Sequence, residues 1–192
     1  MTPEQVQQIF IKRNALLKGH FKLSSGLHSD SYMQCALVLQ YAEDGDPIGQ
    51  ALADLLKKEK PAVVVSPALG GVVLGYVAAR GLKVPALFAE RQEGGFALRR
   101  GFQLSKSDRV AVVEDVLTTG KSVKEVMTLV ESLGAKAVAV GSIVDRSNGS
   151  LNFGVPYYSL LKLPLVTYPP ESCPLCKSGQ PVLKPGSRPE NK

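Results

Sequence analysis

Between residues 62 and 145 the chain repeats one rhythm. A short, almost wholly apolar run is followed by a loop and then by a stretch with apolar residues at helical spacing. The apolar runs are "AVVVS" (62–66), "PALFAE" (85–90), "RVAVVED" (109–115) and "AKAVAVGSIVD" (135–145). The helical stretches are "GVVLGYVAARG", which ends at Gly81, and "KSVKEVMTLVESLG" (121–134), closed by Gly134. A strand with no polar alternation has both faces buried, and helices between such strands supply the cover. The pattern therefore predicts an α/β fold with a central parallel sheet flanked by helices.

Upstream, Thr2, Pro3 and Gln5 form a capping box that opens a helix predicted to run to about Lys18, with Gly19 as its stop. "FKLSSGLHSDSYMQC" reads as short strands around a polar turn. Asp46 before Pro47 is predicted to open a second helix, "PIGQALADLLKKEK". Residues 90–108 break the rhythm and read as a loop followed by a hairpin standing out from the sheet. The stretch from 177, rich in proline, glycine and charge, reads as a loosely ordered tail, 177–192. At 192 residues the whole is one domain, with its core over 45–170.

The composition narrows the function classes. Net charge is +6, but the basic residues are scattered, and only six Tyr and six Phe are present without Trp. That argues against nucleic acid as the main partner and for an anionic small molecule. No apolar run reaches the roughly 20 residues of a membrane span, and no signal peptide is apparent. The expectation is a cytoplasmic protein without a membrane partner.

The chemistry concentrates in "VAVVEDVLTTGKSV" (110–123). Its Gly-Lys-Ser ending mimics a nucleotide-binding P-loop. That loop needs a glycine five residues before Gly120, where Asp115 stands instead. A carboxylate there would face the phosphates, so the P-loop reading fails on its own spacing. In an open parallel sheet, ligands lie beyond the carboxyl ends of the strands. Glu114 and Asp115 arrive at that edge, and Val116, Leu117, Thr118, Thr119, Gly120, Lys121 and Ser122 then turn into a helix. Converging backbone N–H groups and the helix dipole suit a phosphate. Two acids beside such a cradle suit the hydroxyls of a ribose 5-phosphate. "SPALGG" (66–71), with its small residues, would let backbone approach the same ligand.

"VVEDVLTTGKS" resembles the phosphoribosyl pyrophosphate (PRPP) signature of type I phosphoribosyltransferases. "GHFKLSSGLHSDSYMQ" (19–34) resembles the N-terminal hood of the orotate phosphoribosyltransferases, "IVDRSNG" (143–149) their arginine-bearing strand end, and "YPPESCPLC" (168–176) the C-terminus of one bacterial subgroup. The resemblance covers about 14–186. It implies the type I phosphoribosyltransferase fold, with a hood formed mainly by 1–40. It implies transfer of ribose 5-phosphate from PRPP to orotate, with Mg²⁺ on the pyrophosphate. Residues 114–122 would bind PRPP, with Asp115 as the catalytic residue. Thr118 and Arg146 would contact orotate. It further implies a homodimer whose mobile loop serves the neighbouring site. Here that loop is cut to "ERQEGG", leaving Arg91 as its basic residue; Arg91, Arg99 and Arg100 are the candidates for the leaving pyrophosphate. A purine phosphoribosyltransferase, or a PRPP-sensing regulator that binds nucleic acid, are the alternatives.

Cys173 and Cys176 have zinc-knuckle spacing, but a structural zinc needs four ligands. Cys35, His20 and His28 lie far away in sequence. The expectation is a cysteine-containing turn and no metal, with His20 and His28 in surface or packing roles.

Overall fold

The computed structural model describes residues 1–23, 26–164 and 166–184. Its centre is a six-stranded sheet in the order β5-β4-β3-β6-β7-β8. These strands are β3 (Val63–Pro67), β4 (Ala86–Gln92), β5 (Gly95–Leu98), β6 (Arg109–Leu117), β7 (Lys136–Asp145) and β8 (Tyr157–Lys162). All neighbours pair in parallel except β4 with β5. β1 (Leu16–Lys22), β2 (His28–Met33) and β9 (Thr167–Tyr168) form a separate antiparallel sheet.

Strand alternation divides the core. Val64, Ala111 and Val113 point to one face, where they meet α1 (Pro3–Lys12), α3 (Ala42–Leu56) and α4 (Gly71–Leu82) through Phe10, Leu52 and Leu74. The short α2 (Ala36–Leu39) leads into α3 on this side. Val63, Val65, Val110 and Val112 point to the other face, covered by Val123, Val126 and Val130 of α5 (Lys121–Ser132). None of the helices among the described residues is long and apolar enough to cross a membrane.

The predicted strands at 62–66, 85–90, 109–115 and 135–145, and the helices after the first and third of them, are present with small shifts of boundary. Other elements differ. The first helix stops at Lys12, because Asn14 adopts the left-handed conformation (φ 51°) and Ala15 turns its N–H back to Phe10. The chain then enters β1 rather than continuing to Lys18. The second helix begins at Ala42 and takes Pro47 into its interior. Its acidic first turn explains the early start: Glu43 and Asp44 favour the helix dipole and both pair with Arg13, which also stacks on Tyr41. No loop precedes the hairpin. β4 runs through Arg91 to Gln92, and Glu93 and Gly94 alone connect it to β5. β8 and β9 were not anticipated. In the tail, Leu183 exchanges backbone hydrogen bonds with β1, and 185–192 lie outside the described residues.

Helices α3 and α4 touch through small residues. A β-carbon on Gly49 would lie 2.5 Å from Val77 Cγ2 and 2.8 Å from the Val77 carbonyl carbon. Gly49→Ala gains roughly 1 kcal/mol of helix propensity. The clash with backbone forces the helices apart, and overpacking of this kind costs about 1–3 kcal/mol or more. The expected outcome is a lower Tm, which thermal unfolding followed by circular dichroism will measure.

Candidate active site

Strand order reverses at β3. The chain leaves β3 for β4 on one side and returns to β6 on the other. Crevices at such switch points are where ligands bind in open α/β sheets. Two loops meet here, Ala68–Gly70 after β3 and Thr118–Gly120 after β6. The Ala68–Leu69 peptide is cis. Glycines set the contact between this loop and the acids. A β-carbon on Gly70 would stand 2.9 Å from Asp115 Oδ1, and one on Gly71 2.8 Å from the Val113 carbonyl and 3.2 Å from Glu114 Oε1.

A cavity of about 520 Å³ opens at the crevice. Arg91, Glu114 and the continuous run from Val116 to Val123 line it. Of the residues predicted to hold PRPP, all line this cavity but Asp115. Successive strand residues face opposite ways. Glu114 therefore looks into the cavity, while Asp115 packs against Gly70 and accepts a hydrogen bond from the Val116 N–H at 2.9 Å. Gly120 (φ 70°) starts α5 without a side-chain cap, so the first N–H groups of the helix point into the cradle. The nearest local acceptor is Thr119 Oγ1, 3.4 Å from the Lys121 N–H. Lys121 itself is exposed and sits 3.9 Å from Glu125.

The arginines separate. Arg91 reaches the cavity, held by Glu125 at 2.7 Å and by the Phe96 ring 4.2 Å below its guanidinium. Arg99 and Arg100 are exposed on the hairpin and pair instead with Glu90, at 3.5 and 2.5 Å. The structure thus brings one of the three pyrophosphate candidates to the cradle.

Arg146 follows β7 and donates its backbone N–H to Leu117, a lining residue, at 2.8 Å. Its Nε is buried with no hydrogen-bond partner. Burial pulls the guanidinium's pKa down, and Tyr32 and Cys35 pull it partly back. Asp145 is spent locally, accepting from Ser147 N and Oγ at 2.8 and 2.6 Å. Tyr32, on β2, was not anticipated as a site residue. Burial raises its hydroxyl pKa, while the charge of Arg146 lowers it and that of Asp115 adds to the rise. Its sequence signal was its place in the hood motif, which says nothing about what it faces.

Glu114 is pushed well above the usual carboxylate range, first by burial and then by the Asp115 charge beside it. Glu114 is thus the desolvated acid of the cavity, while the half-buried Arg146 guanidinium, its Nε without a partner, lies outside the lining with Tyr32 and Cys35 as its electrostatic neighbours.

Residues 45–164 match the phosphoribosyl transferase domain family. The orotate phosphoribosyltransferase of Thermotoga maritima is 57% identical over 183 residues, covering 95% of this chain and 98% of that protein. The orotate phosphoribosyltransferase of Carboxydothermus hydrogenoformans is 55% identical, covering 94% and 96%. The chain belongs to the orotate phosphoribosyltransferase family. The crystal structure of orotate phosphoribosyltransferase from Aeropyrum pernix superposes with a TM-score of 0.73 at 26% identity, over 82% of this chain and 93% of that one. The cavity at the switch point lies within the region that this chain shares with the phosphoribosyl transferase domain family.

The raised pKa of Glu114 has a thermodynamic sign. A carboxyl whose folded pKa exceeds its unfolded value favours the folded state at low pH, and that contribution is lost as pH rises through the folded pKa. Glu114→Gln should therefore stabilise the ligand-free protein at neutral and alkaline pH, seen as a higher Tm than wild type. The gain should fade as pH falls into the ordinary carboxylate range. Thermal melts of both proteins across pH will show it.

The cradle makes a separate prediction. Gly120→Val places a branched side chain in the left-handed region, at a cost of about 1–2 kcal/mol. It also drives a β-carbon to 2.9 Å from the Phe153 ring. Lys121→Ala removes only an exposed pair worth about 0–1 kcal/mol. Binding of inorganic pyrophosphate or PRPP by calorimetry should collapse in the first variant and change little in the second.

Proposed function

We propose that the chain transfers ribose 5-phosphate from PRPP to N1 of orotate, giving orotidine 5-monophosphate and pyrophosphate in de novo pyrimidine biosynthesis. The observation that carries this reading is Arg146. A guanidinium Nε buried without a partner, one hydrogen bond from the phosphate cradle, needs an anionic or carbonyl acceptor from a ligand. Orotate offers a carboxylate and ring carbonyls; a neutral purine offers no carboxylate.

In this reading the N–H groups of residues 118–122 and the Thr118 and Thr119 hydroxyls hold the 5-phosphate. Glu114 and Asp115 flank the strand end and accept from the ribose hydroxyls. Bond breaking at C1 leaves positive charge on the ribose ring, answered by the acid pair at the strand end, with Glu114 in the cavity and Asp115, the expected catalytic carboxylate, behind it against Gly70. Thr118 and Arg146 orient orotate, with Tyr32 beside them. Arg91 is the cation placed for pyrophosphate. The protein's contribution is then orientation and preorganised charge rather than covalent chemistry.

Mg²⁺ fits the donor chemistry. The cavity pairs hard carboxylate oxygen from Glu114 with two cations, Arg91 and the exposed Lys121, too little positive charge for a pyrophosphate beside a 5-phosphate. Mg²⁺ would neutralise that charge, and Glu114, with Asp115 beside it, offers the carboxylate oxygens that would help hold it. The same reading carries a homodimer in the cytoplasm.

Following orotate absorbance in the presence of PRPP and Mg²⁺ tests the activity directly; no loss of orotate with either ligand at saturation would end the reading. Arg146→Ala should raise KM for orotate far more than KM for PRPP, a loss of about 2–5 kcal/mol in orotate binding. A defect confined to PRPP, with orotate affinity by calorimetry unchanged, would move Arg146 to the ribose-phosphate side.

A further inference from the structure

The expectation that Cys173 and Cys176 have no further ligands near them does not survive the fold. β9 pairs with β2, placing Tyr168 beside His28, and the chain then turns through Pro170–Ser172 into α6 (Pro174–Lys177). That return carries both cysteines onto His20 of β1 and His28 of β2. One ligand atom from each of the four residues lies within 4.8 Å of all the others. His20, His28 and Cys173 are buried, and Cys176 closes the group from the solvent side.

We propose that His20, His28, Cys173 and Cys176 hold one zinc ion in a closed tetrahedral site that fastens the C-terminal segment to the small sheet. Three features carry it. The first is the donor set: two imidazoles and two thiols are a structural zinc combination, and the Cys-x-x-Cys pair spans one short turn. The second is spacing. Zinc–nitrogen bonds of about 2.0–2.1 Å and zinc–sulfur bonds of about 2.3 Å give tetrahedral edges of about 3.3–3.8 Å. Cys173 Sγ and Cys176 Sγ each lie 3.6 Å from His20 Nε2, and Cys176 Sγ lies 3.3 Å from His28 Nδ1. The His20 Nε2 to His28 Nδ1 edge, 2.8 Å, has hydrogen-bond length and opens by about half an ångström on loading.

The third is orientation. His20 Nδ1 lies 2.7 Å from the Gln180 carbonyl, which can only accept. The hydrogen is therefore on Nδ1, and the Nε2 lone pair points at the two sulfurs and His28. A backbone carbonyl fixing the far nitrogen is how metal-binding imidazoles are oriented. Leu183 reinforces the arrangement, donating to the His20 carbonyl at 2.8 Å and accepting from the Lys22 N–H at 2.8 Å.

Four protein ligands leave no position for water or substrate, so the ion is structural. Its place in the architecture is a clip. His20 and Cys173 are 153 residues apart in sequence, and the ion closes that loop next to the strand that carries Tyr32.

The test uses the full chain without an affinity tag, purified in reductant from zinc-supplemented cells. Elemental analysis should give one zinc per chain. After removal of zinc by a strong chelator, Co²⁺ should produce the visible bands of a tetrahedral thiolate site, titrating to one equivalent. Two of the three cysteines should become reactive to a thiol reagent only after chelation, and Tm should fall by about 5 °C or more. Cys176→Ser alters an exposed sulfur and should stay folded by circular dichroism while losing the cobalt bands. His28→Gln should do the same. Zinc below a tenth of an equivalent together with no cobalt bands in the reduced protein would overturn the proposal. So would a folded Cys176→Ser protein with unchanged zinc content and cobalt spectrum.

Discussion

β6 sets the rest of the structure. It lies between β3 and β7 with helices on both faces, so Val110 to Val113 have no exposure to spare. A strand enclosed in this way can carry polar groups only where it leaves the sheet. Glu114, Asp115 and the cradle after them stand at the first place where polar chemistry is possible. The neighbouring β3 loop can close on them because Gly70 and Gly71 present no side chain. Fold and site are the same constraint seen from two ends of one strand.

The electrostatics follow from that enclosure. Burial raises Glu114 and lowers Arg146, two opposite shifts with one cause. Neither group has its charge matched by a protein partner. The protein thus holds an acidic and a basic group, both desolvated, on either side of the strand ends without letting them neutralise one another. In the proposed reading, ligand charges complete the pairing, and interactions made there are stronger than they would be in water.

Sequence legibility tracks locality. The continuous apolar runs at 62–66, 109–115 and 135–145 announced their strands because nothing but burial on two faces explains them. The cradle was legible because all of it lies within nine consecutive residues from Glu114 to Ser122. β8 was not, since "YYSLLK" carries a polar residue, Ser159, whose buried partner Ser142 lies on a different strand at 2.5 Å. The end of the first helix was hidden because Ala15, Leu16 and Leu17 could continue a helix, and one left-handed residue decides otherwise. Tyr32 stood in a quoted motif, but its company of Arg146 and Asp115 is tertiary. The His20–His28–Cys173–Cys176 cluster was invisible for the same reason: no local pattern records that the C-terminal segment returns to β1 and β2.

The two-residue turn at Glu93–Gly94 has a kinetic meaning. The ladder from Ala89–Leu98 to Gln92–Gly95 leaves the hairpin no slack, and Arg91 is braced by Glu125 and Phe96 before any ligand arrives. An arginine delivered by a swinging segment must be ordered anew in each cycle, and that ordering subtracts from affinity. Here the cation is already on station. Among the described residues, the tight hairpin thus sets Arg91 at the cavity edge as part of the sheet itself.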